Sequence, residues 1–438
     1  MIKNKHIFLA EKYDLVVGDK FELFYRGVIR KFNPYNNYIL VECKKGNPFP
    51  RYYTFTPTAQ DEGEYDFKIS IFDDDQNIIE TASSKIVVHN IPKVHKTYNC
   101  LCFGDSLTYN GVWVKEGYRR LTRNDGSPKG SNLPGAINLM GRCITKLDEE
   151  DVRYEGYGSW TWKSYCTTFC VSADSAIWVD VLDHNLLDRD QHSIWLNHDA
   201  KWVIESIEPK RIKFKRGENN RSVTPIIDKQ FTRLDNPSEV IDIKGYSFER
   251  GNPFYDEELK RNNFKKYAAE MKVDKIDLVY ILLTWNGLYI PYNTDFEHHF
   301  SYARAIIEQI HRDYKDAHIT IIGIPICSVN GGIAYSYGAT GPYSDTFGTI
   351  STAFNYNYLL EQLTKNYDYC SFIDLKAQFD SEYNMPYEMR TVNARSDVLE
   401  AIGNNGVHPN MNGYLQMGDV FYRALIADLN ELEKKKEF

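Results

Sequence analysis

The chain has 438 residues, 42% of them hydrophobic and 26% charged, a globular composition with room for two or three domains that is neither disordered nor fibrous. Its 52 Lys and Arg stand against 60 Asp and Glu, a formal charge of −8, so no basic field exists to hold a phosphate backbone; nucleic acid is excluded as a partner, and an acidic or neutral polymer fits better. No run approaches the ~20 apolar residues of a membrane span, and Ile7 to Ala10 is too short for a signal-peptide core, so the sequence predicts a chain outside the membrane and outside the ordinary export route, cytoplasmic or particle-borne if phage-derived.

Residues 6 to about 90 run in short alternating or aromatic-rich stretches separated by turn residues: Phe21 to Tyr25, Tyr38 to Val41 and Tyr65 to Ile71. The pattern predicts antiparallel strands of a β-sandwich over residues 1–95. Asp61-Glu62-Gly63-Glu64-Tyr65 resembles the D-x-G-x-Y tyrosine corner of immunoglobulin-like domains. Such a module is expected to act as a spacer or packing partner more than as an independent sugar binder.

From about residue 96 strands alternate with helices, the rhythm of a parallel sheet covered on both faces. Tyr98–Phe103, Val152–Glu155, Ile276–Leu283, His318–Cys327 and Ser371–Leu375 are the five predicted strands. Helices are predicted where Ala136, Leu139, Met140, Cys143, Ile144 and Leu147 share a face, where Ala303, Ile306, Ile307 and Ile310 do, and from Tyr414 to Leu432, with Lys434 to Lys436 as a solvated end. The connection after the second strand is too long to be a bare loop. Ser193–Leu196, Lys201–Glu205 and Arg211–Phe214 alternate within it, which predicts an inserted β-rich subdomain over residues 167–250 of a domain spanning 96–438.

Of the eight cysteines only Cys100/Cys102 and Cys166/Cys170 lie close together, and neither pair has C-x2-C spacing. They read as buried thiols of a reducing compartment, with no metal site.

The first parallel strand runs straight into Gly104-Asp105-Ser106-Leu107. Ligands of such sheets bind beyond the carboxyl ends of the strands, and Gly104 permits the tight turn that projects a hydroxyl there. On this tetrapeptide alone Ser106 reads equally well as a helix cap. Three further sites follow in order, and with them the chain resembles the SGNH (GDSL) hydrolase family over residues 97 to 432, the insertion excepted. Gly104 to Leu107 matches the family's first block, Gly156 to Thr161 its glycine block, Thr284-Trp285-Asn286-Gly287 its G-x-N-D block without the usual glycine and aspartate, and Gly406-Val407-His408-Pro409-Asn410 its histidine block.

The resemblance implies a three-layer, flavodoxin-like α/β hydrolase that needs no metal or cofactor. It implies Ser106 as nucleophile and His408 as general base, then acid. The backbone N–H groups of Ser106 and Gly158 and the side-chain amide of Asn286 are the implied oxyanion donors. Taken singly, Asn286 reads as a buried turn amide, Gly158 as a turn and His408 as a satisfied core histidine. The family's D-x-x-H pattern is broken, because Asn405 stands three before His408. An asparagine cannot carry the charge that stabilises an imidazolium, and Asp397 and Glu400 are the nearby carboxylates that could substitute. Asn405-Gly406 is also a pair prone to deamidation.

Among the tryptophans near these motifs, Trp285 and Trp160 are the candidates for lining a sugar-binding pocket, and Trp162 reads as core. The expected substrate is a small-molecule or polysaccharide ester, above all O-acetyl groups on a carbohydrate, cleaved through an acyl-enzyme. The alternative is a catalytically weak carbohydrate-recognition or structural protein, such as a phage-tail component, on the same fold. Nothing in the sequence sets the oligomeric state.

Overall fold

A computed structural model describes residues 2, 4–167, 176–198, 200–216, 228–248, 251–256, 258–283, 285–288, 294–329, 332–338 and 344–434. The chain is mixed α/β and divides into two compact units, residues 1–157 with 268–438, and residues 158–267.

In the first unit the N-terminal segment forms two sheets. Lys12–Val16, Ile78–His89, Gly63–Phe72 and Tyr38–Cys43 lie side by side in that order, and Phe21–Phe24, Tyr52–Phe55 and Asn47–Pro48 form a three-stranded sheet. Lys12–Val16 pairs in parallel with Ile78–His89; the other pairings are antiparallel. Alternating side chains of both sheets, Leu15, Phe21, Leu23, Phe67, Ile69 and Ile71, are fully buried in one core, the consequence of a period-2 pattern on half-buried strands. The Tyr65 hydroxyl donates to the Asp61 carbonyl at 3.0 Å, closing the D-x-G-x-Y turn.

The larger sheet has Glu150–Gly156, Tyr98–Gly104, Leu278–Leu282, His318–Ile322 and Cys370–Ile373 as parallel neighbours in that order. Numbered along the chain, the order is 2-1-3-4-5. All five residues of Leu278–Leu282 are buried, as expected of a central strand covered on both faces. The fourth strand ends at Ile322, five residues before the predicted Cys327.

Residues 136–147 correct the sequence reading: no helix forms there. Ile137–Met140 pairs in parallel with the start of the first strand, and Cys143–Leu147 pairs antiparallel with the second. Two short strands, each alternating, happened to add up to a helical spacing, but Ile144 is left 46% exposed. Gly141 between them lies against the Tyr154 backbone so closely that a Cβ would come within 2.2 Å of it.

Phe296–Asp313 buries Phe300, Ala303, Ile306, Ile307 and Ile310, and Met411–Lys434 closes the chain as an amphipathic helix; Lys435 and Lys436 lie outside the described residues. Helix Val112–Thr122 packs on this last helix, with Trp113 edge-on to Phe421 at 5.0 Å and Gly117 leaving the room that ring occupies. The N-terminal sheets are fixed to this framework by ionic contacts: Asp19 takes Arg120 on one oxygen at 2.7 Å and Arg423 on the other at 2.9 Å, and Glu382 takes Arg26 at 2.8 Å and Arg51 at 2.7 Å. Among the described residues no helix is long and apolar enough to cross a membrane. The seven described cysteines are free thiols; Cys170 lies outside the described residues.

The second unit contains an antiparallel seven-stranded sheet in the order Val240–Asp242, Gln230–Arg233, Ile194–Asn197, Ala200–Glu208, Arg211–Arg216, Ala176–Asp180, Gly245–Phe248. Its core holds Trp195, Trp202, Phe214 and Phe231, the two phenylalanines stacked at 4.1 Å. The unit is wider than the 167–250 read from the sequence because Asn252 and Asn262 reach back to the Tyr165 carbonyl at 2.9 and 2.7 Å.

Candidate active site

Ser106 stands at the carboxyl end of the first parallel strand, the first residue of a one-turn helix, Ser106–Tyr109. The cap of that turn is Asp105, whose Oδ1 accepts the Leu107 N–H at 3.0 Å. The capping role is therefore carried by Asp105, and the Ser106 hydroxyl engages elsewhere. Gly104 is required sterically: a Cβ there would lie 2.3 Å from both the Leu282 carbonyl oxygen and Thr108 Oγ1.

Ser106 Oγ is 2.8 Å from His408 Nε2, across 302 residues of sequence. In the tautomer whose proton is on Nδ1, Nε2 accepts from the hydroxyl, which is the arrangement a general base would need. The loop that presents the ring is held from within and without. Asn405 Oδ1 accepts the N–H groups of Val407 at 3.0 Å and His408 at 2.9 Å, an Asx turn, while the Gly406 carbonyl accepts the Ser328 N–H at 3.1 Å. Asn410 Oδ1 then accepts the Gly413 N–H at 3.0 Å and starts the final helix.

Asn405 thus shapes the turn by capping backbone donors. Neither Asp397 nor Glu400 takes its place at the ring: Glu400 lies on an exposed hairpin, Tyr387–Thr391 with Leu399–Gly403, paired to Arg390. Burial alone holds the His408 pKa below its ordinary 6.5, with no neighbouring charge contributing. The neutral ring, the form a general base would need, is therefore favoured at pH 7 and is lost as pH falls through the lowered pKa. The rate constant kcat/KM on a small ester is expected to be flat from pH 7 to 8 with its acid midpoint below 6.5; a midpoint above 6.5 would require a carboxylate on the ring.

Trp285 to Leu288 is a tight turn closed by the Leu288 N–H to the Trp285 carbonyl at 3.0 Å, with Gly287 at φ +88°, the left-handed position that favours glycine. The turn brings Asn286 Nδ2 to 3.3 Å from Oδ2 of Asp105, the residue next to Ser106. Thr284 lies outside the described residues. Tyr414, from the last helix, faces the same carboxylate: burial and then the Asp105 charge push its hydroxyl up to about 12. Sequence reading passed over Asp105 as a structural member of the site. The signal was present, since an Asp one residue ahead of a short helix is a cap by composition.

Two expected sugar-binding residues are placed differently. Trp160, in the second unit, is fully buried with its ring 4.6 Å from Tyr165, and Trp285 is 1% exposed, so neither offers a free face for a sugar. Trp162 is likewise buried. Gly158 belongs to the second unit, which it begins. Among the described residues no cluster of His, Cys, Asp or Glu side chains is arranged to hold a metal ion.

No family model and no curated protein matches the chain. Among solved structures it is similar to a carbohydrate esterase family 3 protein from Talaromyces cellulolyticus, at 12% identity over 76% of this chain and 99% of that one, with a TM-score of 0.38. A carbohydrate acetylesterase family member from Sinorhizobium meliloti matches at 12% identity over 76% and 99%, TM-score 0.34. A family two carbohydrate esterase from Clostridium thermocellum, in complex with cellohexaose, matches at 10% identity over 96% and 94%, TM-score 0.29.

Proposed function

We propose that the chain is a serine esterase of the SGNH type that removes O-acetyl groups from a carbohydrate or polysaccharide through an acyl-enzyme. The observation that carries this is the 2.8 Å contact between Ser106 Oγ and His408 Nε2 at the carboxyl end of the first parallel strand. The 2-1-3-4-5 strand order supports the flavodoxin-like reading of the sheet. In the reaction His408 takes the hydroxyl proton as Ser106 attacks the ester carbonyl. It then returns that proton to the departing sugar oxygen, leaving acetyl on Ser106; water repeats the sequence and releases acetate. The Asn286 amide, already beside Asp105, and the N–H group of Ser106 are the proposed donors to the oxyanion.

The test is acetate release from a panel of O-acetylated glycans, with short-chain thioesters alongside. Release from glycans supports the assignment, and hydrolysis of thioesters alone refutes it. A second reading, a glycan-binding or structural protein with a disabled site, is favoured by one observation: Asn405 supplies no charge to His408. The two readings part at Asn405. Asn405→Asp keeps an oxygen for the Val407 and His408 N–H groups and adds the missing charge, so under the esterase reading it raises kcat at least about tenfold and moves the acid midpoint upward. Asn405→Ala loses both bonds and is expected to cost about 1–2 kcal/mol in urea unfolding as well as activity.

A further inference from the structure

A groove of about 580 Å³ runs between the N-terminal β-segment and the α/β framework, with Arg26, Phe32 and Arg51 on one side and Val329, Thr346 and Tyr383 on the other. That volume lies within the ~300–1,000 Å³ of clefts that hold small ligands. Its walls are bonded to the loop that carries His408 on both flanks. Ser328, next to Val329, donates its N–H to the Gly406 carbonyl two residues before the histidine, and Asn410, two residues after it, donates its side-chain amide to the Tyr383 carbonyl at 3.2 Å.

The surface chemistry is specific. Phe32 is 69% exposed and Tyr383 64%, a heavy apolar exposure for two rings in one groove. Each is held in place: Phe32 lies edge-on to Phe347 at 6.4 Å and its carbonyl accepts from Arg26, while the Arg51 guanidinium covers one face of Tyr383 at 4.4 Å. Rings with an open face are what the apolar face of a pyranose stacks against. The two arginines are matched by Glu382 and Asp380. Burial would raise Glu382, but the hydrogen bond from Arg51 and the charge and hydrogen bond of Arg26 hold it below the usual carboxylate range. The groove therefore carries fixed hydrogen-bonding groups without net positive charge, which suits a neutral hydroxylated chain over a phosphorylated ligand. A fatty acyl chain would have to lie along charged walls.

We propose that this groove binds the sugar chain of the substrate, so that the N-terminal β-segment forms one wall of a polysaccharide site. The proposal rests on the esterase reading for its connection to Ser106, and deepens it by naming an extended, neutral glycan as the substrate class.

The experiment compares chemically O-acetylated xylo-, cello- and chito-oligosaccharides of one, three and six units with p-nitrophenyl acetate, in the wild type and in Phe32→Ala, Tyr383→Ala and the double variant. For at least one series the wild type is expected to gain tenfold or more in kcat/KM from one unit to six, through KM, and the double variant to lose that gain. No dependence on length in any series, or a gain that survives the double substitution, overturns the groove while leaving the esterase reading intact. Retardation of Ser106→Ala in native gels containing the same acetylated polysaccharides separates the two readings. Retardation that disappears when Phe32 and Tyr383 are also replaced supports the groove even if no ester is turned over; absence of retardation in every gel overturns it.

Discussion

Replacing Ser106 by alanine is expected to lower ester hydrolysis by at least about 10³-fold, with His408→Ala costing about as much and the double variant no more than the worse single one. The non-additivity is the informative part. A hydroxyl 2.8 Å from an imidazole nitrogen acts with it as one unit, so once either is gone the other has nothing to exchange a proton with. Fold should survive, because the turn at Ser106 is capped by the Asp105 side chain and the histidine loop is held through Asn405 and Gly406, none of which the substitutions touch. Steady-state rates on an aryl acetate, with circular dichroism to confirm folding, decide it. Full additivity of the two losses would mean that the pair does not work together.

The largest expected effect on stability comes from Asp19→Ala. Asp19 sits in the turn between the first two strands, buried, with Arg120 of helix Val112–Thr122 on one oxygen and Arg423 of the final helix on the other. Arg120 retains the Asp419 carboxylate at 2.8 Å, but Arg423 is left with the neutral Gln378 side-chain amide oxygen at 3.1 Å and loses the carboxylate it was hydrogen-bonded to. Breaking one side of a buried ion pair typically costs about 3–5 kcal/mol because an uncompensated charge remains. A loss of that size in urea unfolding is expected for Asp19→Ala. A loss under about 1 kcal/mol would mean that the N-terminal sheets are held by their other contacts, Glu382 with Arg26 and Arg51 and the apolar packing, and not by this triad.

What the sequence made legible was whatever leaves a strong local pattern. The continuous apolar run around Leu278–Leu282, the stripe of Phe296–Asp313 and the turn at Asp61–Tyr65 could all be read directly. Helix Thr346–Thr364 escaped because it is buried on nearly every side and shows no polar stripe; Thr349, Ser351, Thr352, Asn355 and Asn357 are all inside. The 136–147 segment misled because two strands joined at Gly141 reproduced a helical spacing.

At the site, residue identity and order single out Ser106, His408 and Asn286 in the sequence as the types acyl transfer needs, and the structure places Ser106 Oγ 2.8 Å from His408 Nε2 and Asn286 Nδ2 3.3 Å from Asp105 Oδ2. The functions of Asp105 and Asn405 were not legible. Both act through backbone N–H groups of their own turns, and a side chain's choice between capping a turn and orienting a ring is made by loop geometry that leaves no trace in composition. Trp160 and Trp285 failed as sugar-facing residues for a related reason: proximity in sequence to a motif does not say which way a ring packs.

The central claim, that Ser106 is a nucleophile activated by His408 without help from a carboxylate, is tested most directly by intact-mass spectrometry after reaction with a fluorophosphonate. The account predicts one adduct on the wild type at pH 7 to 8, none on Ser106→Ala, and labelling that fades only below pH 6.5, as the buried imidazole gains its proton. No adduct on the wild type at neutral or alkaline pH would contradict it, and would mean that the Ser106–His408 contact is structural and does not activate the serine.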